Sequence, residues 1–156
     1  MPAVGFDLQP LLDDFRSECR ASGGFDGVST HELRKPPTQR FVLGAWWLRT
    51  RPIPQRSGLA ATSVLITLQA RIYMPLQGDP DQLDTELWRR TDLIYARMHQ
   101  GLVFTEDQHE IDILGAFSDG VTADAGWVPM PDNTSVRVAD INVPIIVNDA
   151  YAQVRE

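Results

Sequence analysis

Apolar and polar residues alternate along this chain with two distinct periods, and the switches between them mark out the elements. Leu8, Leu11, Leu12, Phe15 and Cys19 recur at the spacing of one helix face, with Asp13, Asp14, Arg16, Ser17 and Arg20 opposite. Pro10 fits a first turn and Ser22-Gly-Gly24 ends the run, so a helix is predicted from about Gln9 to Arg20. The stretch that organises the rest runs from Ser63 to Gln100. Val64, Ile66 and Leu68 alternate with Leu65, Thr67 and Gln69 in a segment of β-branched residues with Tyr73, ending near Met74, which predicts a strand with one uniformly apolar face. Pro75 then removes a backbone donor, and Gly78-Asp79-Pro80 is a helix start. Asp79 can accept from free amides of the first turn, Pro80 sits where a missing N–H costs nothing, and Asp81 favours the positive helix end. Leu83, Leu87, Ile94 and Met98 follow at helical spacing, so a second helix is predicted over about 80–100, with Gly101 as its stop.

The remaining segments are shorter. Arg40 to Arg49 predicts a strand in which Trp46 and Trp47 take opposite sheet faces, one indole in the core and the other over a partner surface or a helix. Residues 25–39 have no clear period, and Lys35-Pro-Pro-Thr38 is a rigid, extended piece. Arg51 to Gly58, with two prolines, two arginines and a glycine, predicts a mobile surface loop, either a docking loop for a polar or acidic partner or a plain hairpin connection. Leu102-Val-Phe104 and Ile111-Asp-Ile-Leu114 bracket a polar turn and give two short strands or one bulged strand. Small polar residues from Gly115 to Gly126 predict a loop, Trp127 to Met130 a short strand, and Pro131-Asp-Asn-Thr134 a turn. Val136, Val138, Ile141, Val143, Ile145 and Val147 mark a final strand or strand pair. The parity shift after Val138 predicts a bulge near Ala139-Asp140, Pro144 confines its segment to an edge or an irregularity, and residues 148–156 are expected to be loosely held. Together these elements predict a single α+β domain, a mostly antiparallel sheet flanked by an N-terminal helix and one long central helix.

Composition narrows the function classes. A chain of 156 residues with 43% apolar and 22% charged residues is that of an ordinary soluble domain. It has no run of about 20 apolar residues for a membrane span, and its N-terminus lacks the basic and apolar regions of a signal peptide, so an intracellular, soluble protein is expected. The lone Cys19 excludes an internal disulfide, lies on the apolar helix stripe and reads as a small core residue. A net charge of −7 argues against sequence-independent nucleic-acid binding, which needs phosphate neutralisation. Of 14 basic residues only Lys35 is lysine. The arginine excess reflects codon usage in a GC-rich genome, bidentate contacts to carboxylates across a subunit interface, or both.

Catalytic signatures are sparse. His31, His99 and His109 lack the close pairing of a zinc site, no Gly-x-Ser-x-Gly elbow occurs, and Gly23-Gly24 is no phosphate loop. The carboxylates Asp107, Glu110, Asp112, Asp119 and Asp124 cluster in sequence, and acid–base chemistry would need two of them to converge with separated pKa values; in an acidic protein such clusters are usually solvated turns.

Several stretches taken together resemble the tail terminator proteins of long-tailed, siphovirus-type bacteriophages. They are Arg71-Ile-Tyr-Met-Pro75 before the Gly78-Asp-Pro80 helix start, Ile111-Asp-Ile-Leu-Gly115, Ala125-Gly-Trp-Val128, and the closing Arg137-Val-Ala-Asp-Ile-Asn-Val-Pro-Ile-Ile-Val147. The likeness covers most of the chain from about Arg40 onward. It implies an α+β subunit that assembles into a hexameric ring at the head-proximal end of the virion tail, capping the tail tube, stopping its polymerisation and offering its other face to the head–tail connector protein. It implies no turnover, no cofactor and no metal. The interface residues inferred beside it are Trp46 and Trp47, Arg51 and Arg56 with Asp107 and Glu110 as complementary charges, and Arg89, Arg90 and Arg97 on the outer face of the long helix. Three other readings compete: another head–tail joining protein, a small enzyme or ligand-binding domain using the cluster Asp107 to Asp124, and an assembly factor that docks through Trp46 or Trp47.

Overall fold

The computed structural model describes residues 5–25, 27–100 and 109–153. Two helices lie on one face of a six-stranded, mostly antiparallel sheet, the α+β architecture predicted. In chain order the elements are α1 (Gln9–Ala21), β1 (Val28–Ser29), β2 (Val42–Pro52), a 3₁₀ turn (Pro54–Arg56), β3 (Ala61–Tyr73), α2 (Pro80–Gln100), β4 (His109–Ile111), β5 (Thr122–Pro129) and β6 (Ser135–Ala152). The sheet order is β1-β2-β3-β6, with β4 and β5 sharing the far side of β6. The predicted stop Gly101, the strand Leu102–Phe104 and most of the turn after it lie outside the described residues.

Both helices form where the periodicity places them. Leu11, Leu12, Phe15 and Cys19 of α1 are buried, and so are Leu87, Ile94 and Met98 of α2. At the start of α2 the Asp79 carboxylate accepts from the Asp81 amide at 3.1 Å, while Leu83 N–H donates to the Asp79 carbonyl at 2.9 Å, so the cap satisfies amides the helix cannot. The two helices cover a layer of Leu43 and Ala45 from β2, Val64, Ile66, Leu68, Ala70 and Ile72 from β3, and Ala139, Ile141, Val143, Ile145 and Val147 from β6. Arg97 of α2 reaches Glu18 of α1 at 2.6 Å and fastens the helices to each other.

Cys19 is wholly enclosed in this layer, and burial first, then Glu18 beside it, pushes its thiol pKa up to about 12. Native protein is therefore expected to resist iodoacetamide at pH 8 and to react fully in denaturant. Labelling as fast as a free thiol under native conditions would contradict this placement.

Among the described residues the helix-free face carries two small clusters, one at each end. Tyr73, Met130, Val136 and Val138 form a small cluster at one end, where the Tyr73 hydroxyl accepts from Leu33 N–H at 3.1 Å. Ile53, Leu65 and Ile146, with Phe117 against them, form another.

Four sequence expectations are corrected. The predicted bulge at Ala139-Asp140 is absent: β3 and β6 stay in register from Tyr73↔Val138 to Val64↔Val147. The parity shift has another cause, because Val136 and Val138 are buried under the helix-free cluster and Ile141 to Val147 under the helices. The register breaks instead between Thr62 and Val64, opposite Asp149 with its φ of 53°. The stretch Gly115 to Gly126 is not all loop, since β5 starts at Thr122 and pairs with β6 from Thr122↔Asn142. Residues 148–153 are not loose: Thr62 pairs with Tyr151, Ala61 with Ala152, and Gln153 N–H donates to the Ala60 carbonyl at 2.8 Å. The linker after β2 is the hairpin connection of the two alternatives, but residues 51–52 are still strand and the turn is tied down, Ile53 being buried with its N–H donating to the Ser63 carbonyl at 2.8 Å.

Pro144 sits at an irregularity, as expected, yet inside the sheet. It falls between the segment of β6 paired to β5 (135–142) and the segment paired to β4 (145–147). Its carbonyl accepts from Asp112 N–H at 2.9 Å, so its missing donor faces the same gap and the ladder to β3 is intact.

Candidate interaction surfaces

Opposite-strand partners share a sheet face, which fixes how the exposed residues are grouped. On the helix-free face one row is Trp46, Gln69, Asn142 and Thr122, and the next is Gly44, Arg71, Asp140 and Asp124. Arg71 grips Asp140 through both carboxylate oxygens at 2.6 and 3.0 Å, and its guanidinium lies 5.6 Å from the Trp46 ring centre. Arg49 opposite Thr67 and Arg51 opposite Leu65 continue this face toward the hairpin.

Beside them the loop 113–120 closes a shallow concavity of about 580 Å³ lined by Arg49, Arg51, Thr67, Asn142 and the loop itself. The buried Asp112 organises that loop. Its carboxylate accepts from Ala116 N–H at 2.7 Å, Phe117 N–H at 2.9 Å and the Ser118 hydroxyl at 2.8 Å. Burial opposes its ionisation, but these donors outweigh it and hold the carboxyl below the ordinary aspartate range. Arg51 Nη2 donates to the Phe117 carbonyl from the other side. Gly115 and Gly120 adopt φ of +82° and +78°, and a Cβ on Gly120 would lie 2.5 Å from the Ile113 carbonyl oxygen. Gly120→Ala is therefore expected to lower stability by about 1–3 kcal/mol, read as a reduced midpoint in chemical denaturation.

Among the described residues the edge of β2 beyond β1 is open. β1 pairs only with Leu43 and Gly44, the outward Ala45 carbonyl is taken by Arg16, and 47–52 are all exposed. Trp47 lies on the helix-bearing face opposite Leu68, half exposed, with its indole N–H on the Thr50 hydroxyl at 2.8 Å. Leu48 sits beside it in a bulge and is also exposed.

At the opposite edge, β5 pairs only with β6 among the described residues. Between β5 and α2 runs a groove of about 480 Å³, lined by Leu87, Trp88, Tyr95, Ala123, Ala125 and Arg137 among others. Trp88 in its lining and Trp127 farther along β5 are 68% and 64% exposed, large areas for indoles on a folded domain. Arg137 lies 5.7 Å from the Trp127 ring centre and ion-pairs with Asp84 at 3.1 Å. Asp92 and Asp124 have no ion pair among the described residues.

The residues singled out from sequence fall into three groups. Trp46 and Trp47 do take opposite faces, but neither enters the core, because both sit where the sheet runs past β1; Trp46 is half-buried under Arg71. Arg56 and Glu110 meet each other at 2.5 Å within the chain, and Arg51 holds the loop. Arg89 and Arg90 both reach Glu86 on their own helix; Arg90 also stacks over Phe41 at 4.5 Å and Arg97 holds Glu18, so Arg90 and Arg97 brace the fold while Arg89 stays exposed. Asp107 lies outside the described residues. Within the acidic cluster Glu110 and Asp124 lie apart, Glu110 across from Ile146 and Asp124 from Asp140, six residues apart on β6 and so about 20 Å, while Asp112 is spent on the loop 113–120. Among the described residues no group of three His, Cys, Asp or Glu side chains could share a metal ion, and no helix is long and apolar enough to cross a membrane.

Sequence reasoning missed Trp88, Trp127 and Leu48. For Trp88 a signal existed, since it falls outside the Leu83, Leu87, Ile94, Met98 stripe and a large aromatic there has no core to enter. The chain matches no protein-family model, and no curated protein matches it.

Proposed function

We propose that the chain is a structural ring subunit of the tail-terminator kind: it assembles with copies of itself into a hexameric ring, caps a phage tail tube, and presents its other face to the head–tail connector. The observation that carries this reading is the placing of its exposed indoles. Trp47 with Leu48 stands at one edge of the sheet, and Trp88 with Trp127 at the other. A subunit in a ring needs two separate contact surfaces, one for each neighbour. An enzyme or ligand-binding domain instead gathers its polar groups in one cleft, and the candidate carboxylates here are spread along β6. The work of the protein on this reading is binding without turnover.

Support comes also from where the resembling segments lie. Arg71 to Pro75 covers the end of β3, where it pairs with the start of the Arg137 to Val147 segment of β6, and Ala125 to Val128 lies on β5. The test is tube growth. Tail tube protein polymerised in the presence of the purified chain is expected to give tubes that stop lengthening, with extra density at one tip in electron micrographs. Tubes that grow as long as those without it, with bare tips, would refute the reading.

A further inference from the structure

We infer that successive copies join edge to edge, the open segment of β2 of one copy adding to the outer side of β5 of the next, which extends the sheet across the subunit boundary. This rests on the ring-subunit reading and specifies its contact. Among the described residues both edges carry strand with no outer partner: 47–52 of β2 beyond β1, and 122–129 of β5. An exposed strand edge is a template for pairing with another chain, and the bulge at Leu48, the arginines and Pro52 on the β2 edge limit which partner strand it accepts.

Three further features agree. The first is direction. Each pair β2/β3, β3/β6 and β6/β5 is antiparallel, so β2 and β5 run antiparallel to each other. Copies related by rotation about an axis along the strands therefore meet in antiparallel pairing. The second is charge. Arg49 and Arg51 lie on the helix-free face, through their partners Thr67 and Leu65. Asp124 lies on that same face, opposite Asp140. Arg49 and Asp124 have no ion pair among the described residues, and a continued sheet brings the basic edge of one copy beside the acidic edge of the next. The third is the apolar match. Trp47 and Trp127 are both on the helix-bearing face, through Leu68 and Arg137, so the indole of one copy falls against the Ala123, Ala125 and Trp127 row and the groove beside Trp88. Unlike edges meeting in this way make a head-to-tail contact, which closes into a ring when the rotation per copy allows it.

The test uses the full chain and two charge reversals at exposed, unpaired positions, R49E and D124R. Each alone is expected to raise the concentration for half-assembly by about tenfold or more, since like charges then face each other across every contact. An equal mixture of the two, and the double variant R49E/D124R, should assemble at close to the wild-type concentration, because the charges are again opposed. Circular dichroism melts of each variant check that the subunit is folded. Wild-type rings with no shift in either variant, or no recovery in the mixture and the double variant, would overturn the edge pairing while leaving the ring standing. A wild-type chain that stays monomeric at every concentration and leaves tubes uncapped would overturn both.

Discussion

Replacing Asp112 with alanine is expected to lower stability at pH 7 by about 2–4 kcal/mol, because three donors lose a charged acceptor inside the protein. Ala116 N–H, Phe117 N–H and the Ser118 hydroxyl all point at the missing carboxylate, whose residue is only 5% exposed. The dependence on pH follows from the direction of the shift. The folded-state carboxyl titrates below its ordinary value, so its contribution is complete above the unfolded pKa of about 4 and is lost as pH falls through the folded value. The gap between wild type and Asp112→Ala should thus be widest near neutral pH and close progressively below about pH 4. Urea titrations at a series of pH values read this directly. A gap under about 0.5 kcal/mol, or one that does not change with pH, would mean that Asp112 does not hold the loop. The consequence reaches the surface, since the same loop anchors Arg51 through Phe117 and carries Leu114, which is 93% exposed.

The second large effect is expected at Arg16, one of the few charged residues the fold buries. Its Nε and Nη2 donate to the Ala45 carbonyl at 3.1 and 2.9 Å, and Nη2 donates also to the Thr30 carbonyl at 3.1 Å. It thus ties α1 to β2 at the point where β1 ends. Arg16→Ala leaves both carbonyls without this donor and opens a cavity beneath the helix, for a loss of about 2–4 kcal/mol. Arg16→Lys keeps the charge but not the planar fork, and should fall between the two. Denaturant midpoints with unchanged slopes would report it. An alanine variant within about 0.5 kcal/mol of wild type would contradict the role assigned to Arg16.

How far the fold could be read from sequence follows from where local signals agree with tertiary ones. The cap Asp79-Pro80 and the stripe Leu83 to Met98 specify α2 by themselves, and the alternation in β3 specifies its buried face. β5 was not legible, because Ala123, Asp124, Ala125 and Gly126 have low strand preference and become strand only by pairing with β6. The parity change along β6 was read as a bulge because a period analysis assumes one covered face, whereas here the covered face changes along the strand. The end of the chain looked loose because its partners, Ala60 to Thr62, are distant in sequence. At the surface, the indole pair at 46–47 was visible as a contact candidate, but the inward use of Arg56, Arg90 and Arg97 was not. Spacing within one helix cannot show that Glu18 or Phe41 waits on another element.

The claim on which the rest depends is that this subunit makes two unlike contacts and closes into a ring. Light scattering over a wide range of protein concentration, with negative-stain images of the same samples and with tail tubes added to a parallel set, tests it most directly. The account predicts a rise from subunit mass to that of closed rings of about six copies, in solution or at the tube tip. A strict monomer throughout, with no rings even when tubes are present, would contradict it.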